Sequence, residues 1–386
     1  MQEPPDSSFF KREIDPREQF AAEVRDLCWR ESFTPEDEEE LAAQIGDRDR
    51  HLCILGECYE GEGEQREKVK RFLKMPVSPE IAVDTKKERV DERFQKQILL
   101  LQALEQDGRM PARKVIASNL DRKQGTPFAI MEVLGGDQLG FVTKEEDVEI
   151  WGEKHAQECI RNLGVLNQID TDSLPPELQE ALEREGASSS DYGRLRKDIE
   201  STLGKKVKAL DSPEGGEEFF HEVLNRRFGI ENFKERVVQI LDHWEELMKS
   251  QDGTRNALFH GDLGGDNLYI HDDDSVEFID WEFAGMCKNP AISAIIDFGN
   301  LRARTWNNKE FREAMDAALT ESYTNRGEGE LGRAIVSLGI LRSHMGLAGF
   351  FENYDLGEQR KEREIRRREA TEGDLKKVWE VAGLEL

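Results

Sequence analysis

Apolar residues recur along this chain with two different periods, and the switches between them outline its elements. Phe20, Ala21, Val24, Leu27 and Cys28 fall at helical spacing, which predicts a leading helix. Thr34 and Pro35 precede Glu36, Asp37, Glu38, Glu39 and Glu40; this reads as an N-cap, a proline in the first turn and acids at the positive end of the helix dipole, with the helix ending near Gly46. Residues 51–60 and 68–77 have the look of strands, and the glycines and acids of residues 61–65 predict a hairpin turn between them. Residues 89–106 are amphipathic, with Phe94, Ile98, Leu101 and Leu104 on one side. Residues 127–136 read as a buried strand running into two glycines, and residues 149–169 as a helix.

The second half is mostly helical in pattern. Residues 173–216 carry Pro175, Pro176, three consecutive serines and many charges, so they are expected to be rich in loops with short helices, a natural place for a substrate-binding insertion. Residues 217–250 return to helix, with Phe219, Phe220, Val223, Leu224, Val237, Ile240, Leu241, Trp244 and Leu247 as core positions. Residues 276–282 read as an apolar strand, and residues 310–386 as several helices, one of them charged and solvated.

At 386 residues the chain is long enough for two units with a real core. Cys28, Cys53, Cys58, Cys159 and Cys287 are odd in number and form no C-x-x-C pair, which points away from a disulfide framework or a zinc site. No apolar run is long enough to span a bilayer, and the first residues lack a basic segment followed by an apolar one, so a cytoplasmic protein is expected. The net charge of -27 argues against nucleic-acid or anionic-membrane partners. It permits a cationic small molecule, although an acidic surface also serves solubility.

The chemistry concentrates in His260-Gly261-Asp262-Leu263-Gly264-Gly265-Asp266-Asn267 and in Ile279-Asp280-Trp281-Glu282. A carboxylate, an amide and a second carboxylate in one short hairpin suit phosphoryl transfer, where catalysis is mostly positioning and neutralisation of charge. Asp262 would orient an attacking hydroxyl, while Asn267 and Asp280 would offer hard oxygens to Mg²⁺. Asp262 and Asn267 have the Asp-x-x-x-x-Asn spacing of the protein-kinase catalytic loop. His260 fits a loop-bracing role better than that of a base, and Asp266 and the Asp272-Asp273-Asp274 run fit turns.

His-Gly-Asp-Leu-x-x-x-Asn followed by Ile-Asp-Trp-Glu resembles the aminoglycoside phosphotransferase and choline kinase superfamily. That resemblance implies an α+β, bilobal protein-kinase-like fold: a small N-terminal antiparallel sheet lobe, residues 1–134, and a larger, mainly helical C-terminal lobe, residues 135–386. It implies transfer of the γ-phosphate of ATP, or of GTP, to a hydroxyl of a small molecule such as an aminoglycoside, a sugar or an amino alcohol. Phe72-Leu73-Lys74-Met75-Pro76 is similar to the family's Val-Leu-Arg-x-Pro strand and puts Lys74 on the nucleotide phosphates, with Lys68, Lys70 and Arg71 as competitors. Backbone groups around Glu132, Val133 and Leu134 would bond the adenine edge. The helix position that usually supplies a glutamate to the strand lysine falls on Gln97, or on Glu92 if the register differs. Asn167 and Asn289 stand where the family usually has a histidine and an acid, and Asp297 reads as a bracing acid.

For the acceptor, Asp191, Asp198, Glu352 and Asp355 are candidate amine partners, with Trp306, Phe350, Phe351 and Tyr354 as an aromatic wall. Two other functions compete: a non-catalytic nucleotide-binding scaffold, and a metal-dependent phosphohydrolase using His260, Asp262, His271 and Asp280.

Overall fold

The computed structural model describes residues 15–37, 39, 41, 51–60, 67–77, 89–138, 151–187, 191–208, 217–353, 362, 366–367, 369–370 and 373–385. The chain divides into two compact units, residues 1–98 with 114–133 and residues 99–113 with 134–386.

The first unit is built on a five-stranded antiparallel sheet. Its strands are β1 (Thr34–Pro35), β2 (His51–Glu60), β3 (Glu67–Pro76), β4 (Val115–Asn119) and β5 (Phe128–Glu132), in the order β1-β2-β3-β5-β4. Alternation in β2 buries Leu52, Ile54 and Cys58 and leaves Leu55 and Tyr59 exposed. The helix Pro16–Arg30 lays Phe20, Val24, Leu27 and Cys28 into one cluster with Leu52, Ile54, Leu73, Met75, Phe128 and Ile130. This is the leading helix that the spacing predicted.

Thr34 does not cap a helix. Thr34 and Pro35 pair with Glu57 and Gly56 at the sheet edge, where a proline's missing N–H removes no ladder bond. Asp37 takes the turn-starting role, its carboxylate accepting from the Glu39 N–H at 2.8 Å and its carbonyl from the Leu41 N–H at 3.1 Å. The hairpin tip with Glu62 and Glu64 lies outside the described residues.

The helix Val90–Asp107 follows, burying Phe94, Ile98, Leu101 and Leu104. The second unit is mainly helical. It includes the helices Glu153–Leu166, Pro176–Gly186, Tyr192–Leu203, Phe220–Phe228, Phe233–Lys249, Pro290–Arg304, Lys309–Asn325, Gly329–Asn353 and Asp374–Ala382. Short strands complete it: β6 (Asp137–Gln138), β7 (Lys206–Lys208), β8 (Glu217–Phe219), β9 (Ala257–Phe259), β10 (Leu268–Ile270), β11 (Val276–Phe278) and β12 (Gly285–Cys287). Where residues 173–216 were expected to carry short helices among loops, the described residues form two, Pro176–Gly186 and Tyr192–Leu203. Pro175 and Pro176 start a helix here, and Asp191 caps the next one through the Arg194 N–H at 2.9 Å.

The helix Pro290–Arg304 is the axis of this unit. It is buried along most of its length, and Asn289 caps it by accepting from the N–H groups of Ala291 and Ile292. It crosses Gly329–Asn353 so closely that a Cβ on Gly299 would meet the Gly339 carbonyl oxygen at 2.8 Å. That approach brings Asn300 and Arg304 of one helix beside Arg342 of the other.

Candidate functional site

Residues 260–267 link β9, which pairs with β12, to β10, which pairs with β11 and β6. The loop is therefore anchored at both ends by sheet hydrogen bonds. Its first residues are held from beneath: the Asp297 carboxylate accepts from the His260 N–H at 2.7 Å and from the Gly261 N–H at 2.9 Å. Gly261 has φ +84°, and a Cβ there would meet the Phe283 carbonyl oxygen at 2.3 Å, so the turn requires glycine. The Asn300 amide donates to the Gly261 carbonyl at 2.9 Å.

His260 is fully buried. Its Nε2 lies 2.8 Å from the Ile279 carbonyl oxygen, and its Nδ1 lies 3.4 Å from the Asp262 nitrogen. Burial lowers its pKa to about 4, so the ring is neutral, with Nε2 donating to Ile279 and Nδ1 facing the Asp262 N–H. It braces the loop against β11, as its place in the motif suggested. Asp297 is pushed the other way, up to about 7, by complete burial that the two N–H donors only partly offset.

Asp262 and Asn267 are in contact. The Asn267 amide N–H₂ donates to the Asp262 carbonyl at 2.8 Å and approaches its carboxylate at 3.5 Å, which leaves the amide oxygen for another partner. The Ile279 N–H donates to the Asn267 carbonyl at 3.0 Å, so Asp280 follows directly from the residue opposite Asn267. Asp280 itself sits at φ 62°, ψ 62°, in the left-handed region. β11 ends at Phe278, and residues 281–283 form a tight helical turn. The strand alternation expected through Glu282 is broken at Asp280, and Glu282 is buried in that turn.

An amide oxygen and a carboxylate match the hard-oxygen preference of Mg²⁺, which completes its shell with substrate phosphates and water. No set of three His, Cys, Asp or Glu side chains forms a metal-holding group among the described residues. His271 is 3.1 Å from Glu277, and His260 is bonded to backbone, so the ligand set of the hydrolase reading is not brought together. The 272–274 tip is a turn, closed by the Asp274 N–H on the His271 carbonyl at 2.9 Å.

The most consequential residue that the sequence did not reveal is Arg304. Its guanidinium donates to the Asp262 carboxylate, reaches the Asp262 carbonyl at 3.3 Å and lies 3.6 Å from Asp266. An arginine in the last turn of an apolar helix looks in sequence like an ordinary complement to the helix dipole. Burial raises the Asp266 pKa against the lowering effect of Arg304, with Asp262 and Asp280 adding like-charge repulsion.

In the other unit, Lys74 is buried and its Nζ donates to Gln97 Oε1 at 2.9 Å. Gln97, then, is the helix residue that meets the strand lysine; Glu92 lies 3.5 Å from Arg89. The competing cations sit in ion pairs of their own, Lys68 with Glu57 and Lys70 with Glu36 at 2.7 Å on the surface, and the part-buried Arg71 with Glu60 at 2.6 Å. The Glu132 N–H is used on the Lys114 carbonyl at 3.1 Å, and Val133 and Leu134 follow outside any strand.

Of the candidate acceptor residues, Asp191 is taken up by its capping bond, and Asp198 lines a pocket described below. The Glu352, Asp355, Phe350, Phe351 and Tyr354 side chains lie outside the described residues. No helix among the described residues is long and apolar enough to cross a membrane.

The profile of the phosphotransferase enzyme family matches residues 78–332 of the chain. No curated protein sequence matches it. Among solved structures, an aminoglycoside phosphotransferase from Alicyclobacillus acidocaldarius is 13% identical, with 91% of this chain and 95% of that one covered and a TM-score of 0.45. A choline/ethanolamine kinase family protein from Mesorhizobium loti is 14% identical, covers 93% and 98%, and has a TM-score of 0.44. A macrolide 2'-phosphotransferase from Brachybacterium faecium is 14% identical, covers 87% and 99%, and has a TM-score of 0.42. Such distant likenesses carry no weight for the chemistry.

Proposed function

The chain belongs to the phosphotransferase enzyme family, a small-molecule kinase of α+β, kinase-like fold, and we propose that it moves the γ-phosphate of ATP to a hydroxyl of a small acceptor at Asp262. The observation that carries this reading is the single hairpin in which Asn267 bonds Asp262 and the residue before Asp280 bonds Asn267.

In this reading Asp262 accepts the hydrogen bond of the acceptor hydroxyl and aims its oxygen at the γ-phosphorus. The hydroxyl oxygen bonds to phosphorus, the bond from phosphorus to the leaving ADP oxygen breaks, and the proton passes to the Asp262 carboxylate. Arg304 fixes the rotamer of that carboxylate, while His260 and Asp297 fix the backbone that carries it. Mg²⁺, when bound, would neutralise phosphate charge, and Asn267 and Asp280 are the residues that would hold it. Lys74 is assigned to the nucleotide phosphates, and backbone groups of Glu132, Val133 and Leu134 to the base. The corresponding division of labour gives residues 1–134 to the nucleotide and residues 135–386 to catalysis and the acceptor.

The test is a screen of the purified protein with Mg²⁺ and labelled ATP or GTP against a library of hydroxyl metabolites and antibiotics. Phosphate transfer that disappears in Asp262→Ala, with nucleotide binding retained, is the expected result. Binding of Mg·ATP with no transfer to any acceptor would favour the scaffold reading, and phosphatase activity with bound zinc or manganese the hydrolase.

A further inference from the structure

Beside the catalytic loop the second unit has a pocket of roughly 220 Å³, lined among the described residues by Asp198, Thr202, Asn300, Arg304, Arg342 and Ser343, with Ile199, Ala303 and Met345 as its apolar part. Two of these residues also hold the loop, Arg304 through the Asp262 carboxylate and Asn300 through the Gly261 carbonyl. The pocket therefore shares two lining residues with the shell that holds the loop carrying Asp262.

Its charge does not match a polycation. Among the described residues Arg342 makes one hydrogen bond, NH1 to the Asn300 Oδ1 at 3.2 Å, with no carboxylate within ion-pair distance and no acceptor on the rest of its guanidinium fork. Arg342 is half-buried, and burial lowers its pKa against the raising effects of Asp198 and Asp297. Asp297 attracts Arg342 only from beyond ion-pair distance, its two carboxylate oxygens accepting from the His260 and Gly261 N–H groups. Asp198 is exposed on its helix, at the rim. Ser343 donates its hydroxyl to the Ile340 carbonyl at 2.9 Å and adds no charge. The group that would satisfy Arg342 is a planar or tetrahedral oxyanion, which accepts two parallel N–H bonds from one guanidinium.

We propose that this pocket is the acceptor site and that it takes a hydroxyl compound bearing an oxyanion, carboxylate or phosphate ester, gripped by Arg342. The inference rests on the kinase reading above and narrows its substrate class, against the cationic acceptor that the chain's acidic charge allowed.

The experiment compares four sets of hydroxyl compounds matched in size: carboxylates, phosphate monoesters, neutral polyols and amino alcohols. Each is assayed for transfer from Mg·ATP and, without nucleotide, for binding by calorimetry. Expected is transfer to one of the two anionic sets, which also identifies the oxyanion. Arg342→Met should raise KM for that set at least tenfold, with kcat changed less. It should also abolish calorimetric binding, while Mg·ATP affinity and thermal midpoint stay at wild-type values. Arg342→Lys, which keeps the charge and loses the fork, should fall between. Transfer confined to neutral or cationic acceptors, an unchanged KM in Arg342→Met, or no calorimetric binding in either anionic set overturns the proposal. The kinase reading fails separately, on absence of both Mg·ATP binding and transfer; Arg342-dependent binding of anionic compounds would survive that result.

Discussion

Arg304 holds Asp262 in a charge-assisted hydrogen bond, its guanidinium reaching both the carboxylate and the backbone carbonyl of the same residue. The two come from elements far apart in sequence, the loop after β9 and the last turn of Pro290–Arg304. The Asp262 carboxylate is thereby confined to one rotamer, which under the role proposed for it would aim the acceptor hydroxyl. Arg304→Met frees it. We expect kcat to fall by a factor on the order of 10 to 100, from misplacement alone, with nucleotide affinity unchanged. Asp262→Asn should cost more, roughly 10² to 10⁴, because the proton acceptor itself is gone. Steady-state kinetics of both variants decide this; a loss in Arg304→Met that adds in full to that of Asp262→Asn in the double variant would show that Arg304 acts on something other than Asp262.

Gly261 offers a test of the loop's geometry independent of charge. A methyl group there faces the Phe283 carbonyl oxygen at 2.3 Å on a backbone with φ +84°. Gly261→Ala must either shift the 281–283 turn, and with it Asp280, or leave the left-handed region and break the His260 and Gly261 bonds to Asp297. Destabilisation of about 1–3 kcal/mol is expected from denaturant unfolding. Gly253→Ala, at φ +70° with open space around its Cβ, is the control for backbone strain alone and should cost less.

The candidate loop was legible in the sequence because residues 260–267 form one local pattern, and its bonds between Asp262 and Asn267 join residues five apart; Lys74 was singled out by its resemblance to the family's strand. Lys74 was separable from Lys68, Lys70 and Arg71 only by register, and the structure distinguishes them by burial against Gln97. What the pattern did not contain was contact across sequence. Arg304 meets Asp262 on the loop, and Arg342 meets Asn300 where Gly299 and Gly339 let two helices approach, relationships with no signature in either segment. The proline and acid signals misled at Thr34–Pro35, which lie at a sheet edge and not in the first turn of a helix. Strand alternation failed at Asp280 because one left-handed residue turns the chain out of β11.

Asp297 makes a prediction about pH. Its folded pKa of about 7 stands above the unfolded value of about 3.9, so its contribution is fully present below the lower value and is lost as pH rises through 7. His260, at about 4 folded and about 6.5 unfolded, does the reverse, its contribution being lost as pH falls toward 4. The two trends oppose one another between about pH 4 and 6.5. Asp297→Asn removes the first and leaves the second. The thermal midpoint of Asp297→Asn should therefore fall further below wild type as pH is lowered from 7 to 4. A gap that stays constant or narrows would mean that Asp297 is ionised across the whole range.

Lys74 and Gln97 invite a paired substitution. Removing the amine in Lys74→Met leaves the buried Gln97 oxygen without that bond, a loss of about 1–3 kcal/mol in stability, and under the role assigned here also weakens nucleotide binding. Lys74→Met with Gln97→Leu removes both polar ends, so stability should recover while nucleotide affinity does not. Nucleotide binding that recovers together with stability would place Lys74 in the core and take it off the phosphates.

Asp280 is where stability and function should part. It is a non-glycine residue at φ 62°, a conformation that asparagine adopts at least as readily, and it adds to the like-charge repulsion that raises the Asp266 pKa. Asp280→Asn thus keeps the backbone, relieves repulsion among three neighbouring carboxylates and weakens the hard-oxygen set. In metal-free buffer its thermal midpoint should equal or exceed that of wild type. On adding Mg²⁺ with nucleotide, wild type should gain stability and Asp280→Asn much less, and transfer should drop by a factor on the order of 100 or more. If Asp280→Asn instead loses stability without metal and keeps its metal response, the carboxylate is a structural brace of the 281–283 turn, and the cation must be held by other oxygens.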